Sequence, residues 1–421
     1  MKNFMCVMRT RSKITNWLAK AIYSCKIYVI CYITTKEHSN RTCYAMWNKL
    51  KTIYEKISSA EIPYKRWCKV VILTVLGIIF GAVALVYVVD PHYRYRLPGF
   101  YDTVYYELYA TAPRLLRDME YDTFVLGSSM TRNFFLDDID AALGGKSVKL
   151  AASGATTTDL KKFFDIAREA KGNSLKRVVL SLDIYSMNKS KDEAHYKEFE
   201  YLYRDDLAEE YKYFFSRQTY SNMYFLIKRK LRPKKKRQHQ ADVNRMFSTE
   251  YAGMRFGIRE VMADAIHNER SHHTQTPAHK TNFAHSLNNC LLPMIAENPQ
   301  IEFTVYLPPY HIYTYCQSQQ FREAEGLIRQ RTLVMKELLK YPNVKLYDFQ
   351  ADRKYACDFD LYSDVQHFGS HAARLILADL AADHRRIRTA AEVDANEREL
   401  RALIKEQMPG YYANIKKYKE Q

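Results

Sequence analysis

Three short stretches of this chain carry residues that could do covalent chemistry. Gly127-Ser128-Ser129-Met130 closes the apolar run DTFVLG (122–127) and is followed by Thr131-Arg132-Asn133. A Gly at a strand end permits a tight turn, and a Ser just after it sets its hydroxyl where the free N–H groups of a helix start face the same space. Such a Ser129 can be a nucleophile, its own N–H helping to hold an oxyanion, although Ser is also a common helix N-cap. Ala152-Ser153-Gly154-Ala155 closes a second run, SVKLA (147–151), where Gly154 either lets a backbone N–H approach a substrate oxygen or simply makes a turn. A nucleophile needs a base, and the base an orienting carboxylate. Asp360-Leu361-Tyr362-Ser363-Asp364-Val365-Gln366-His367-Phe368 offers both, because the Asp364-x-x-His367 spacing lets one turn bring the carboxylate against an imidazole nitrogen. His371 and Asp360 stand at similar positions and compete for these roles.

The elements that must position these groups alternate. Short β-rich runs at 122–127, 147–151, 176–183, 301–307 and 343–349 are separated by helical stretches at 157–170, 284–297 and 319–341, and a last helix starts near Ser370. Strand–helix alternation with continuously apolar strands such as VVLSL and FTVYL predicts a parallel α/β sheet covered on both faces. In such a sheet the site lies beyond the carboxyl ends of the strands, where all three stretches fall. Residues 185–283 interrupt the alternation and include KRKLRPKKKR (228–237). That run could contact an anionic polymer or lipid headgroups, but a solvated, mobile insertion is the simpler reading.

The chain has 421 residues, a formal net charge of +17 and 34 Tyr. Its aromatic content of 14% excludes a disordered chain, and 13 Gly with 12 Pro exclude a collagen-like or low-complexity one. The charge suggests a nucleic-acid partner until it is located. Residues 1–69 hold fourteen Lys or Arg against Glu37, Glu55 and Glu61, a balance of +11, which leaves +6 for the rest. VVILTVLGIIFGAVALVYVV (70–89) comes next, uncharged and long enough to cross a hydrocarbon core of about 30 Å. With Lys65, Arg66 and Lys69 before it and Asp90 after it, the positive-inside rule predicts a single-pass signal anchor, with a cytoplasmic N-terminus and residues 90–421 outside. That location argues against nucleic acid as a partner. Trp67, Tyr64, Tyr87, Tyr93 and Tyr95 fit interfacial anchors. Residues 21–35 are a weaker apolar run broken by Lys26: either a basic amphipathic segment at the membrane surface, or part of a leader upstream of a true start at Met46. Five of the eight Cys lie before the span, and Cys290, Cys316 and Cys357 show neither CxxC nor zinc-ligand spacing, so they read as ordinary residues. The expected layout is a basic segment 1–69, a span 70–89, a linker 90–119, an α/β domain 120–385 with the insertion 185–283, and a helical tail 386–421.

The order Gly-Ser-Ser after the first strand, Gly154 after the second and Asp364-x-x-His367 before the last helix resembles the SGNH (GDSL-like) hydrolase superfamily over about residues 120–385. With the anchor in front, the layout is similar to membrane-anchored bacterial proteins of cell-surface polysaccharide pathways, such as alginate acetylation proteins and the teichoic acid D-alanyl transfer protein. The resemblance implies a three-layer, flavodoxin-like parallel sheet. It implies Ser129 as nucleophile, His367 as general base, Asp364 as the group orienting His367, and the N–H groups of Ser129 and Gly154 as oxyanion donors. No metal or organic cofactor is implied.

Two departures stand out. Ser128 occupies the place where the family's first block usually has Asp. Ser181-Leu182-Asp183-Ile184-Tyr185 stands where the third block offers GxND, and an ionised Asp183 cannot donate as that Asn does. Asn133 or Asn188 are candidates to replace it. Two functions are open on this basis. One is an acyl esterase or O-acyl transferase, acetyl first among the acyl groups, acting on a cell-surface polysaccharide. The other is a weak or inactive glycan-binding scaffold that partners a membrane-bound acyltransferase. A third, plainer reading makes Ser129 and His367 structural.

Overall fold

The computed structural model describes residues 64–99, 101, 108–204, 206–231, 254–268, 277–320 and 323–420. The expectations for residues 1–63, and for 232–237 of the basic run, lie outside these. By its internal contacts the chain falls into two units, Met1–Ile79 and Phe80–Gln421.

The expected strands form in place: β1 (Thr123–Gly127), β2 (Ser147–Ala151), β3 (Arg177–Ser181), β4 (Glu302–Leu307) and β5 (Val344–Asp348). They pair in parallel, and a two-residue strand, β6 (Arg386–Ile387), adds antiparallel to β5, giving the order β2-β1-β3-β4-β5-β6. The order of the five parallel strands, 2-1-3-4-5, is one of the two common doubly wound arrangements. β1 and β2 are buried along their whole length, as strands covered on both faces must be.

The principal helices, in chain order, are α1 (Tyr64–Val89), α2 (Leu108–Asp118), α3 (Leu136–Leu143), α4 (Thr157–Lys171), α5 (Glu210–Phe215), α6 (Arg217–Lys230), α7 (Ile258–Asn268), α8 (Pro277–His285), α9 (Tyr313–Gln320), α10 (Ala324–Leu338), α11 (Ser370–Ala381) and α12 (Ala390–Lys419). Right-handed crossovers put α3 on one face and α4 on the other, because β2 and β3 lie on opposite sides of β1. In keeping with this, α3 packs against α11, and α4 against α2 and the π-helical turn Ser286–Leu291 that continues α8. α4 starts on a capping box, in which the Thr156 hydroxyl accepts from the Asp159 amide and the Asp159 carboxylate accepts from the Thr156 amide.

Three expectations change. Residues 90–119 are more than a linker: α2 buries Leu115 and Leu116 completely, and Tyr93, expected at the membrane interface, is also fully buried. The tail 386–421 is part of the core, since Val393, Leu400 and Tyr411 of α12 are inaccessible. It is tied in by Arg331, whose buried guanidinium bonds to Asp348, Asn396 and Gln350 and so joins α10, β5 and α12. The described parts of 185–283 are packed, with Tyr213, Val261, Met262 and Ala265 inaccessible, so they are not a solvated insertion.

Among the described residues one helix, Lys65–Val89, is long and apolar enough to cross a membrane. It ends at Asp90, a buried residue with φ of +46°. The Asp90 carboxylate accepts from the amides of Arg94, Tyr95 and Arg96 at 2.7, 2.9 and 3.1 Å. It also accepts the Tyr213 hydroxyl at 2.7 Å. Three amides turned onto one carboxylate stop the helix and reverse the chain.

Candidate active site

Ser129 sits in the tight turn leaving β1. From Thr123 to Thr131, Ser129 is the residue that solvent reaches, and the rest are buried. The turn folds back on itself so closely that a Cβ at Gly127 would stand 2.0 Å from Thr131 Oγ1 and 2.8 Å from Ser181 Cβ. Gly127 is therefore required for space rather than for an unusual dihedral. Ser128 caps the short 3₁₀ turn Ser129–Thr131. Lys149 of β2 fixes the segment just beyond that turn, its buried ammonium donating to the carbonyls of Arg132 and Phe134 at 3.0 and 2.5 Å.

Across the carboxyl edge of the sheet, 238 residues later in the chain, the loop before α11 brings the candidate base to Ser129. His367 Nε2 is 2.7 Å from Ser129 Oγ, and His367 Nδ1 is 2.7 Å from Asp364 Oδ2. A carboxylate can only accept, so Nδ1 carries the proton and Nε2 is left to accept from the serine. Asp364 is itself held in place, because its Oδ1 accepts the amides of Gln366 at 2.7 Å and His367 at 2.6 Å. Burial works against the charge on both members. For His367, the hydrogen bond and charge of Asp364 outweigh burial and the nearby Arg132, and hold the imidazole above its ordinary value. For Asp364, the bonds from His367 outweigh burial and hold the carboxyl low.

Asn133, expected as an oxyanion donor, is engaged otherwise: its buried side-chain amide donates to the Phe368 carbonyl and fastens the histidine loop to the turn after β1. Asn188 is also taken up, in a reciprocal amide pair with Gln330 at 2.8 Å each way. Gly154 lies past β2, whose last residue pairs with Gly127, so it shares the edge with Ser129. Its φ is +69°, and its carbonyl accepts Lys189 Nζ at 2.8 Å. Among the described residues neither the Ser129 nor the Gly154 amide nitrogen has a protein acceptor. His371 and Asp360 are exposed and apart from this arrangement.

In sequence Asp183 reads only as a failed donor, and the structure makes it a hub. Its Oδ1 accepts the Tyr310 hydroxyl at 2.6 Å and the Tyr185 amide at 3.0 Å. Its Oδ2 accepts the hydroxyls of Ser128 at 3.2 Å and Ser186 at 3.1 Å. The Asp183 charge also acts on His367 and raises its pKa. Burial and Asp183 keep the Tyr310 phenol protonated, as a donor must be. The sequence does not single out Tyr310, whose only signal is its place in LPPYH just past β4.

No family model matches this chain, and neither a curated protein nor a solved structure matches it.

Proposed function

We propose that the protein is an SGNH-type serine esterase or O-acyltransferase that acts on a cell-surface polysaccharide outside the membrane, held there by α1 as a signal anchor with a cytoplasmic N-terminus. The observation that carries this reading is the unbroken hydrogen-bonded line from Asp364 through His367 to Ser129 at the carboxyl edge of the sheet. In this reading His367 Nε2 takes the proton as Ser129 Oγ bonds to the acyl carbonyl carbon, and the N–H groups of Ser129 and Gly154 receive the oxyanion. Collapse breaks the ester bond, His367 returns the proton to the departing oxygen, and an acyl-Ser129 remains. Water (an esterase) or a glycan hydroxyl (a transferase) then gives its proton to His367 as its oxygen bonds to the acyl carbon, and as the acyl–Oγ bond breaks His367 passes that proton to Ser129 Oγ, restoring the free serine and the neutral imidazole. These steps call on no metal or organic cofactor, and acetyl is the first acyl group to try.

Detergent-solubilised full-length protein should react with a fluorophosphonate at Ser129 and turn over an acetyl ester. Ser129→Ala should abolish both, and full activity in that variant would overturn the assignment.

Asp183 favours a second reading. A carboxylate in the place of an oxyanion-donating Asn suits a domain that binds a glycan, or docks beside a membrane acyltransferase, without efficient turnover. Glycan binding that survives Ser129→Ala, with no fluorophosphonate labelling of the native protein, would select it.

A further inference from the structure

The six residues just past the apolar helix are clamped to α5 and α6. The Arg94 guanidinium pairs with Glu210 at 2.7 Å, and the Tyr213 hydroxyl reaches Asp90. The Tyr95 ring stacks on Phe214 with centroids 6.3 Å apart, and the Asn222 amide meets His92 Nε2 at 2.7 Å. α5 and α6 are thus fixed within a side chain's length of the point where α1 ends. Along α6 the residues Asn222, Met223, Leu226 and Arg229 are buried, at helical spacing. The opposite stripe, Arg217, Tyr224, Lys228 and Leu231 with Ile227 beside it, is exposed, Leu231 to 80%. On α5, Tyr211 is 60% exposed.

This composition is unusual for a face turned to water. From Ser216 to Leu231 the chain has four Lys or Arg and no Asp or Glu. An exposed helix face that mixes aromatic, aliphatic and basic side chains and lacks carboxylates matches a helix lying in a membrane interface, where Tyr and Leu enter the headgroup boundary and Lys and Arg snorkel to anionic groups. We infer that α5 and α6 form a second membrane contact, which docks on the anionic headgroups of the bilayer that α1 crosses. The inference rests on α1 being an anchor. Two contacts, one spanning and one lying flat, fix the domain's tilt and hold the Ser129 edge at a set height, where a single tether would leave it free to swing.

The test uses full-length protein reconstituted in vesicles of phosphatidylcholine with phosphatidylglycerol. An environment-sensitive fluorescent amino acid is placed at Phe80, at Leu231 or, as an exposed leucine elsewhere in the fold, at Leu333. Probes at Phe80 and Leu231 should be quenched by spin-labelled lipid, and the probe at Leu333 should not. Lys228→Glu with Lys230→Glu, or vesicles of phosphatidylcholine alone, should cut quenching at Leu231 severalfold and leave Phe80 unchanged. If Phe80 is quenched while Leu231 stays in water, the docking surface falls and the anchor stands, leaving the face to a soluble partner. If quenching at Leu231 ignores both charge and lipid, the anionic contact falls. If Phe80 itself reports water, the anchor falls and takes the docking with it.

Discussion

Asp364→Asn removes one charge and almost no volume, yet the geometry makes it severely damaging to the proposed reaction. Asp364 Oδ1 faces two peptide N–H groups, of Gln366 and His367, at 2.7 and 2.6 Å. A peptide N–H can only donate, so the amide oxygen of an Asn must take that side. Its NH₂ is then forced toward His367 Nδ1, 2.7 Å away in the native protein. Nδ1 must become the acceptor, which puts the ring proton on Nε2, the atom that has to receive the proton of Ser129. The wrong tautomer at an intact geometry costs about four orders of magnitude in turnover, the figure known for the same substitution in the Ser-His-Asp triad of a serine protease.

The acid limb of the pH–rate profile should move as well. His367 must be neutral to act as a base, so the native rate rises with pH through a pKa held above 6.5. In the variant the carboxylate that raised it is gone and burial, which lowers it, remains, so the residual limb shifts to lower pH. The assay is acetyl-ester turnover and fluorophosphonate labelling across pH, with a thermal melt as control, because both peptide bonds to position 364 survive and the loop should stay folded. A variant that melts like the native protein and keeps a tenth or more of its labelling rate would refute the triad.

Three further changes test the surroundings. Gly127→Ala drives a methyl group into Thr131 and Ser181; it should cost about 1–3 kcal/mol of stability and slow Ser129 labelling about 100-fold by shifting the nucleophile, and normal labelling would show that the turn is not tightly set. Asp183→Asn should be tolerated, because the Ser128 and Ser186 hydroxyls can turn to accept; it should lower the acid limb and raise esterase turnover by up to about 100-fold, and a slower enzyme would make Asp183 a necessary part of the site. Arg331→Leu strands the buried Asp348 carboxylate and should cost about 3–5 kcal/mol in denaturant unfolding; Asp348→Leu added to it should restore most of that, and a harmless single change would show that α12 is held by its apolar contacts alone.

The parts of the fold that could be read in the sequence were those governed by local pattern. The five parallel strands are short, largely apolar and bounded by turns, so much of their burial could be read from their composition. Ser129 and His367 could be paired across 238 residues because each immediately follows a strand or precedes a helix at the same edge of the sheet. The features that escaped depend on contacts between distant segments. β6 is two residues long and exists only because the edge of β5 accepts it. Tyr93 looked like an interfacial anchor by type and position, but Asp90 turns the chain inward and buries it. Asn133 had the right side chain in the right neighbourhood, and the Phe368 carbonyl, brought there by the tertiary fold, claimed its amide.

Asp183 shows how a departure from the pattern that the sequence resembles can mean something other than loss. A decayed position would leave an unpartnered polar group or a filler side chain, because nothing would hold a charge there. Asp183 instead accepts from four donors on three segments: Ser128 in the turn that carries Ser129, Tyr185 and Ser186 in its own loop, and Tyr310 beyond β4. So many donors on one carboxylate stabilise it in place and brace the turn that holds Ser129. The same charge raises the pKa of His367, which favours the protonated imidazole and so the state reached once the serine proton has been taken. A negative charge beside the nucleophile opposes a developing oxyanion and supports a developing imidazolium. In the proposed reaction the two effects act on opposite ends of one transition state, and which dominates decides between the slow esterase and the binding domain proposed above.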